Sequence, residues 1–225
     1  MQQRNKVKDV GFERSLRLTE IFFSLQGETK TVGLPTVFIR LTGCPLRCQY
    51  CDTAYAFQGG KWYDIQDILA EVRKYDANYV TVTGGEPLAQ KACISLLKSL
   101  CDEGYNVSLE TSGALDISQV DERVMKVVDI KTPDSLEADK NNWQNISYLL
   151  PHDQIKFVIC SESDYEWSKQ IIQQKQLTSC CEILFSPSYQ QIRAGDLADW
   201  ILRDKLPVRL QIQLHKYLWG DVQGR

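Results

Sequence analysis

The chain has 225 residues, of which 43% are apolar and 24% charged, and its formal net charge is −3. These values fit one large domain with an ordinary core and exclude the strongly basic character of a non-specific nucleic-acid binder. Because no apolar run approaches the roughly 18 residues of a membrane helix and the polar N-terminus lacks a signal-peptide core, we predict a cytoplasmic protein with neither membrane nor nucleic-acid partner.

Short apolar strands alternate with amphipathic helices along most of the chain. We expect residues 1–17 to form a flexible N-terminal arm and residues 18–225 to form a single domain. Two strand-like runs follow the arm and can form a hairpin. The predicted strands cover residues 18–25, 36–41, 79–83, 106–109, 127–130, 155–160, 183–185 and 208–214. The predicted helices cover residues 65–74, 87–100, 165–174 and 196–203.

This alternation indicates an α/β fold with a parallel sheet and crossover helices. Most predicted strands end in a small or polar cluster, as the strands of a β/α barrel do when the site lies at their C-terminal ends. About six βα repeats in fewer than the ~250 residues of a complete barrel predict a partial, open β/α barrel. We therefore expect the strand C-termini to form the functional site.

Three cysteines follow the predicted strand 36–41. Cys44, Cys48 and Cys51 have the spacing C-x3-C-x2-C, and so short a loop can direct three thiolates at a single point. Iron–sulfur clusters are usually held by four cysteines, and a closed structural zinc site also needs four ligands. Three thiols therefore leave one coordination position for a group that is not protein. A half-formed zinc knuckle or three unrelated thiols are the alternatives.

Five further cysteines lie outside this loop. Cys93 falls in an apolar helical pattern and Cys160 ends an apolar run, so both are predicted to be small buried residues. The adjacent Cys180 and Cys181 have no histidine or second cysteine pair at ligand spacing. We therefore favour a structural role for this pair over a metal site.

Two further features stand at predicted strand ends. The tetrapeptide Gly84-Gly85-Glu86-Pro87 follows the strand 79–83 and precedes a helix. Its glycines allow the backbone to approach a ligand closely, and its glutamate lies near the positive end of the helix, although a tight turn alone would also explain it. Arg40 precedes the cysteine loop, and its guanidinium fork fits a carboxylate. A surface ion pair is the alternative for this arginine.

The cysteine spacing is the signature of radical S-adenosylmethionine (SAM) enzymes, which the chain resembles in this loop and in its GGEP motif. A longer ordered series of strand-end motifs is similar to the 7-carboxy-7-deazaguanine synthase family of queuosine biosynthesis. The series comprises Leu25-Gln26-Gly27-Glu28, Arg40, Cys51-Asp52-Thr53, Glu110-Thr111-Ser112-Gly113 and Gln213-Leu214-His215-Lys216-Tyr217. The resemblance extends from about residue 18 to about residue 219.

The resemblance implies a radical SAM fold, cofactors and a reaction. A 4Fe–4S cluster would be held by Cys44, Cys48 and Cys51, with SAM on its fourth iron. Electron transfer to SAM would generate a 5′-deoxyadenosyl radical. The family converts 6-carboxy-5,6,7,8-tetrahydropterin to 7-carboxy-7-deazaguanine with loss of ammonia, a lyase-type ring contraction. The resemblance also implies that the protein uses Mg²⁺, receives electrons from a donor such as flavodoxin or ferredoxin, and forms a homodimer.

The resemblance further implies roles for individual residues, with no catalytic side chain beyond the cluster and SAM. The expected SAM contacts are Gly84, Gly85, Glu86, Ser112, Lys131 and Ser186. The expected substrate contacts are Leu25, Gln26, Glu28, Arg40, Thr83, Glu110 and His215. Thr53 is the expected Mg²⁺ ligand, and Asp52 is a second candidate.

Two other functions remain open on the sequence. A radical SAM activating enzyme, which acts on a protein partner, would need a groove for a peptide in place of a polar pocket. A non-catalytic zinc or iron–sulfur module would explain the three cysteines. It would leave the GGEP motif and the other strand-end residues without a role.

Overall fold

The computed structural model describes residues 14–224, so most of the expected N-terminal arm lies outside the described residues. Within this range the strands are β1 (Ser15–Leu25), β2 (Pro35–Leu41), β3 (Lys61–Asp64), β4 (Tyr79–Gly84), β5 (Asn106–Thr111), β6 (Met125–Ile130), β7 (Gln154–Ile159), β8 (Glu182–Pro187) and β9 (Arg209–Leu210). The α-helices are α1 (Ile65–Val72), α2 (Cys93–Asp102), α3 (Glu162–Gln174), α4 (Ala194–Asp204) and α5 (Leu214–Trp219).

The strands form one sheet in the order β3-β1-β2-β4-β5-β6-β7-β8-β9. From β2 to β9 neighbouring strands are parallel, whereas β1 runs antiparallel to both β2 and β3. In the described part of the chain β3 and β9 are the two edges and do not pair with each other. The predicted open, partial β/α barrel is therefore confirmed, as is the hairpin of β1 and β2.

The helices bury one apolar face each against the sheet. In α1 the buried residues are Ile65, Ile68, Leu69 and Val72, which have the i, i+3, i+4, i+7 spacing of a helix face. The buried face of α2 has the same spacing, and all of these side chains join a single core cluster with the inner residues of the strands. None of the helices within residues 14–224 is both long and apolar enough to cross a membrane.

The structure corrects two boundaries near the N-terminus. Strand β1 begins at Ser15, three residues earlier than expected, because Leu16 is fully buried in the core. Strand β3 was not expected, since its four residues are all exposed and show no alternation of apolar and polar positions. It forms because it pairs with the start of β1, from Ser15 opposite Asp64 onward.

Two further boundaries differ around the site. The helix expected from Pro87 is a short 3-10 turn, Pro87–Ala89, and α2 begins only at Cys93. The side chain of Gln90 holds the intervening chain by donating to the carbonyls of Arg17 and Thr42. The strand expected over residues 208–214 is limited to Arg209–Leu210. The chain leaves the sheet there because the following residues donate hydrogen bonds to the turn after β1.

A buried ion pair supports the sheet away from its carboxyl end. Lys126 of β6 and Asp153 before β7 have side chains that are 2% and 0% exposed, and their Nζ and Oδ2 atoms are 2.9 Å apart. The aspartate also accepts hydrogen bonds from the backbone N–H groups of Lys126 and Leu150. Because a buried charge without a partner is costly, each member of this pair requires the other.

Replacing this lysine should therefore weaken the fold without touching the carboxyl end of the sheet. We expect Lys126→Met to lower the free energy of unfolding by about 3–5 kcal/mol, since it leaves the Asp153 carboxylate buried without its cation. Urea denaturation of both proteins measures the difference. The double variant Lys126→Met/Asp153→Asn, which has no buried charge at this position, should lose less. A loss below about 1 kcal/mol for the single variant would contradict the importance of the pair.

Candidate active site

A cleft of about 610 Å³ lies at the carboxyl ends of the parallel strands. The residues that follow the parallel strands meet at this end of the sheet, so positions far apart in the sequence line one cavity. The expected site residues that line it are Leu25, Gln26, Glu28, Arg40, Cys44, Cys48, Cys51, Asp52, Thr53, Thr83, Gly84, Gly85, Glu110, Ser112, Lys131, Ser186 and His215. The structure thus brings together every expected site residue except Glu86.

The cysteine loop is fixed to the turn after β4 through the backbone. The N–H of Glu86 donates to the carbonyl of Gly43 at 2.8 Å, and the N–H of Gly85 donates to the carbonyl of Leu41 at 3.1 Å. A Cβ atom at Gly85 would collide with the Gly43 carbonyl and lie 2.8 Å from Cβ of Cys44. This position therefore requires glycine, because the two loops touch there.

The three cysteines of the loop fit an iron–sulfur cluster. All three are free and half-buried, and all three line the cleft together with Gly84 and Gly85, the glycine turn after β4. Burial raises the pKa of Cys48 to about 11, so the thiolate requires the cluster iron to form near neutral pH. Within residues 14–224 no group of three or more His, Cys, Asp or Glu residues is arranged to hold one metal ion. A 4Fe–4S cluster does not need that arrangement, since each cysteine binds a different iron atom.

Glu86 is the one expected SAM contact that does not line the cleft, and its contact with SAM stays a prediction. The residue is fully buried. Its carboxylate accepts hydrogen bonds from the backbone N–H of Leu88 at 2.9 Å, the hydroxyl of Thr111 at 2.9 Å and the backbone N–H of Ser112 at 2.7 Å. The hydroxyl of Ser112 also donates to it. Through these hydrogen bonds the Glu86 carboxylate ties the turn after β4 to the end of β5 and positions the neighbouring loops.

Two glutamates that line the cleft have different partners. Glu28, in the turn after β1, accepts a hydrogen bond from Nε2 of Gln213 at 2.8 Å and forms an ion pair with Lys156 of β7. Glu110, at the end of β5, accepts hydrogen bonds from the hydroxyl of Thr83 at 3.1 Å and from Nε2 of Gln26 at 3.3 Å. One carboxylate is thus paired with a cation, and the other receives neutral donors only.

These partners shift the two carboxyl groups in opposite directions. Burial raises the pKa of Glu110, and the nearby charge of Glu28 raises it further. Burial also opposes ionisation of Glu28, but the positive charge of Lys156, with a contribution from His215, outweighs it and lowers the pKa of Glu28. The cleft therefore holds one carboxylate that stays ionised and one that accepts a proton more readily.

Arg40 lines the cleft, and it also forms the ion pair that the sequence left as its alternative. Its Nε donates to Glu20 at 2.7 Å, and its side chain is 15% exposed. The guanidinium lies 5.5 Å from the ring centre of Phe22 and 5.8 Å from that of Tyr55. These contacts hold the guanidinium at the edge of the cleft.

The two expected Mg²⁺ ligands, Thr53 and Asp52, both line the cleft, and a lysine is already paired with the aspartate. The hydroxyl of Thr53 donates to Oδ1 of Asp52 at 2.8 Å. Oδ2 of Asp52 accepts from Nζ of Lys216 at 2.7 Å and from Nε2 of Gln213 at 3.1 Å. Burial opposes ionisation of Asp52, but these donors bring its pKa well below the usual range. A cation at Asp52 would have to compete with the lysine, whereas Thr53 keeps free acceptor capacity.

Beside the cysteine loop, a lysine and two unsatisfied polar atoms face the cleft. Nζ of Lys131 is 2.9 Å from Oδ2 of Asp129 and 5.6 Å from the ring centre of Tyr50. The buried Oδ1 of Asp129 and the buried hydroxyl of Tyr50 have no hydrogen-bond partner within the described residues. Buried polar atoms are nearly always satisfied, so an ordered water or a bound group has to supply the partner of these two atoms.

The comparisons with known proteins agree with this geometry. Residues 38–173 match the family model of the Radical SAM superfamily. The 7-carboxy-7-deazaguanine synthase of Chlorobaculum tepidum is 44% identical over 216 residues, which cover 94% of this chain and 98% of the relative. The enzyme of the same name from Koribacter versatilis is 40% identical over 219 residues, covering 91% and 97%.

The chain belongs to the 7-carboxy-7-deazaguanine synthase family of radical SAM enzymes. The crystal structure of QueE from Escherichia coli has the same fold, with a TM-score of 0.70 at 22% identity, covering 93% of this chain and 99% of the other. Membership of this radical SAM family implies a 4Fe–4S cluster and SAM as cofactors.

In this member of the synthase family, His215 does not end a strand as expected. It lies in the first turn of α5, because β9 stops at Leu210 and the chain turns into a helix. The backbone N–H of Leu214 donates to the carbonyl of Gly27 at 3.2 Å. A Cβ atom at Gly27 would collide with Nδ1 of His215. The imidazole therefore packs directly on the turn after β1.

The structure also adds residues that the sequence interpretation missed in this family member. Charged side chains that line the cleft without an expected role include Asp129, Lys156 and Lys216, of which Lys216 belongs to the C-terminal motif. Lys156 is flanked by the buried residues Ile155 and Phe157. A single charged residue within an otherwise apolar predicted strand was the signal that could have identified it.

The close contact at Gly85 predicts that a side chain added there weakens cluster binding. We expect Gly85→Ala to displace the cysteine loop, and overpacking of this kind costs about 1–3 kcal/mol. If that cost falls on the cluster-bound state, it corresponds to roughly a 5- to 150-fold loss in cluster retention. Iron and sulfide analysis with absorption spectroscopy after anaerobic reconstitution measures the effect. The matched control is Gly195→Ala in α4, where an added Cβ meets nothing within 4 Å; equal iron content in both variants would contradict the prediction.

His215 predicts a pH dependence of stability. Burial lowers the pKa of its imidazole, more than Glu28 and Asp52 raise it. As the pH falls through about 6.5, the imidazole of the unfolded chain takes up a proton before that of the folded protein does. The free energy of unfolding should therefore decrease in that range. His215→Gln should remove this part of the pH slope, as measured by urea unfolding at several pH values. The same slope in both proteins would show that another group is responsible.

Proposed function

We propose that this protein converts 6-carboxy-5,6,7,8-tetrahydropterin to 7-carboxy-7-deazaguanine with release of ammonia, a lyase-type step of queuosine biosynthesis. The observation that carries the proposal is the cleft itself. One cavity contains both the three-cysteine loop and the charged side chains of Glu28, Glu110 and Lys156. Near full-length similarity to synthases of that name supports the same reaction.

The stoichiometry suits a catalyst that needs no net oxidant. The product has the composition of the substrate minus ammonia, so the electrons balance without an added acceptor. When bound, the cluster and SAM supply a radical that removes a hydrogen atom from the substrate. The chain itself has to orient the substrate and exclude water. Burial of Glu28, Glu110 and Lys156 within the cleft supports that role.

We assign the cofactor end of the cleft to the region around the cysteine loop. Cys44, Cys48 and Cys51 would hold the cluster. The backbone of Gly84 and Gly85, which lies against the loop, would approach SAM closely. Further SAM contacts would come from Glu86, Ser112, Lys131 and Ser186. The unsatisfied atoms of Asp129 and Tyr50 support this assignment, because they lie beside Lys131 and lack partners.

We assign the substrate end to the region around the two glutamates. Glu28 and Glu110 are acceptors suited to the amino and ring N–H groups of a pterin. Leu25, Gln26, Thr83 and His215 would complete this part of the pocket. Arg40 would meet the substrate carboxylate with a guanidinium already held by Glu20.

We further propose that Mg²⁺ binds through Thr53, with water and substrate as its other ligands, since Mg²⁺ keeps several waters in most protein sites. A one-electron donor such as flavodoxin or ferredoxin would reduce the cluster, and the protein would act in the cytoplasm as a homodimer. Activation of a protein partner has less support, because the cleft is lined by buried charged groups suited to a small polar ligand.

The test is an anaerobic assay. The cluster is reconstituted and reduced, SAM, Mg²⁺ and 6-carboxytetrahydropterin are added, and mass spectrometry detects the deazaguanine acid. We expect the product from the unaltered protein and none above background from Cys48→Ala, which lacks one cluster ligand. Cys180→Ala, a substitution of a cysteine outside the cleft, is the matched control and should retain activity.

Each alternative outcome has a distinct meaning. Cleavage of SAM to 5′-deoxyadenosine without the deazaguanine acid would retain the radical SAM chemistry and overturn the substrate. No reaction of SAM with an intact, reduced cluster would overturn the enzymatic function. Equal activity of Cys48→Ala and the unaltered protein would show that this loop does not hold the cluster.

A further inference from the structure

A buried lysine on β7 directs its charge into the substrate end of the cleft. The side chain of Lys156 is 14% exposed and lines the cavity. Its sequence neighbours Ile155 and Phe157 are fully buried in the core. A lysine at such a position requires an anionic partner, because an unpaired buried ammonium group is strongly unfavourable.

Within residues 14–224, three carboxyl groups act on Lys156 through their charge, and one of them is paired with it directly. Asp129 on β6 is next to it in the sheet register and forms its own ion pair with Lys131 at 2.9 Å. Glu110 on β5 receives its hydrogen bonds from neutral side chains. Glu28 in the turn after β1 forms the direct ion pair with Lys156. Glu28 is therefore the direct ion-pair partner of Lys156.

The other groups that face Glu28 do not replace this partner. His215 approaches from α5 and Asp52 from the cysteine loop, and they act on the glutamate in opposite directions. Gln213 donates to Oε1 of Glu28 at 2.8 Å, whereas Lys156 holds Oε2. The carboxylate is thus oriented from two sides. It retains free lone pairs, because an ionised carboxylate has about four acceptor positions.

We propose that Lys156 is a positioning residue for substrate recognition, which keeps Glu28 ionised and oriented so that this carboxylate accepts N–H groups of the bound heterocycle. The inference rests on the proposed function, because it takes the carboxylated pterin as the ligand. Lys156 acts through Glu28, while Glu110 remains a separate and more readily protonated group. The pair of glutamates therefore combines an acceptor held ionised by a cation with a carboxyl group whose pKa is raised by burial.

A purely structural role is the competing explanation. The ion pair also ties the turn after β1 to β7, which lie far apart in the order of the sheet. The turn has other ties to this region, since the backbone N–H of Lys30 donates to Oε1 of Gln154 at 3.0 Å and its Nζ to the carbonyl of His152 at 2.7 Å. The experiment has to separate loss of recognition from loss of this tie.

The test compares four variants of the cluster-reconstituted enzyme: Lys156→Met, Lys156→Arg, Glu28→Gln and the double variant Lys156→Met/Glu28→Gln. We expect Lys156→Met to raise KM for 6-carboxytetrahydropterin by about tenfold or more, the scale of one hydrogen bond to a charged group, with a smaller effect on kcat. Lys156→Arg should recover part of the loss. The double variant should be no worse than Glu28→Gln, because the lysine acts through the glutamate.

Lys126→Met is the control for loss of a buried lysine ion pair, since Lys126 lies outside the cleft. It should lower stability while leaving KM unchanged. If Lys156→Met does not fold, the double variant still serves, because it leaves no unpaired charge between these two positions. Additive losses in the double variant, or a lower melting temperature of Lys156→Met with unchanged KM, would overturn the proposal in favour of the structural tie.

A second measurement does not depend on turnover. Carboxyl resonances of ¹³C-labelled glutamate are followed against pH, with Glu28→Gln and Glu110→Gln used to assign them. The pKa of Glu28 should rise in Lys156→Met, and an unchanged titration would overturn the proposal. If this shift occurs but the unaltered enzyme forms no deazaguanine acid, the substrate assignment fails and the effect of Lys156 on Glu28 stands.

Discussion

The arrangement of the cleft depends on one buried carboxyl group, that of Glu86. Its side chain receives hydrogen bonds from the end of β5 and from the short turn after Pro87, and its backbone N–H holds the carbonyl of Gly43. One residue thereby fixes the cysteine loop, the glycine turn and the Thr111–Ser112 segment relative to one another. Each donor that it loses would leave a buried acceptor unsatisfied, at a cost of about 1–3 kcal/mol.

A second set of contacts closes the open side of the sheet. The turn after β1 reaches β7 through the Glu28–Lys156 ion pair and reaches α5 through the carbonyl of Gly27. An open sheet could not surround a ligand by itself, since β3 and β9 remain separate edges. Side chains and one short helix therefore complete the enclosure that a closed barrel would obtain from its strands.

Much of the fold could be predicted because its signals are local. The cysteine spacing, the glycines after β4 and the apolar faces of the helices are all contained in short segments. Strand β3 has no buried face, and it exists only because β1 pairs with it. The orientation of Glu86 depends on Thr111 and Ser112, which lie 25 and 26 positions later. Lys156 similarly acquires its role from Glu28, 128 positions away. Contacts between residues so far apart produce little local pattern, so a single sequence does not predict them.

The contact between Gln213 and Glu28, 185 positions apart, also affects how the molecule is assembled. During synthesis the three thiols emerge early, but the opposite wall of the cleft cannot form until Gln213 has left the ribosome. The pair Gln213–Glu28 therefore adds a contact of very high sequence separation, and proteins rich in such contacts fold more slowly than those dominated by local ones. Completion of this wall of the cleft depends on the C-terminal segment being in place, whereas the cysteine loop and the glycines after β4 meet over a much shorter stretch of chain.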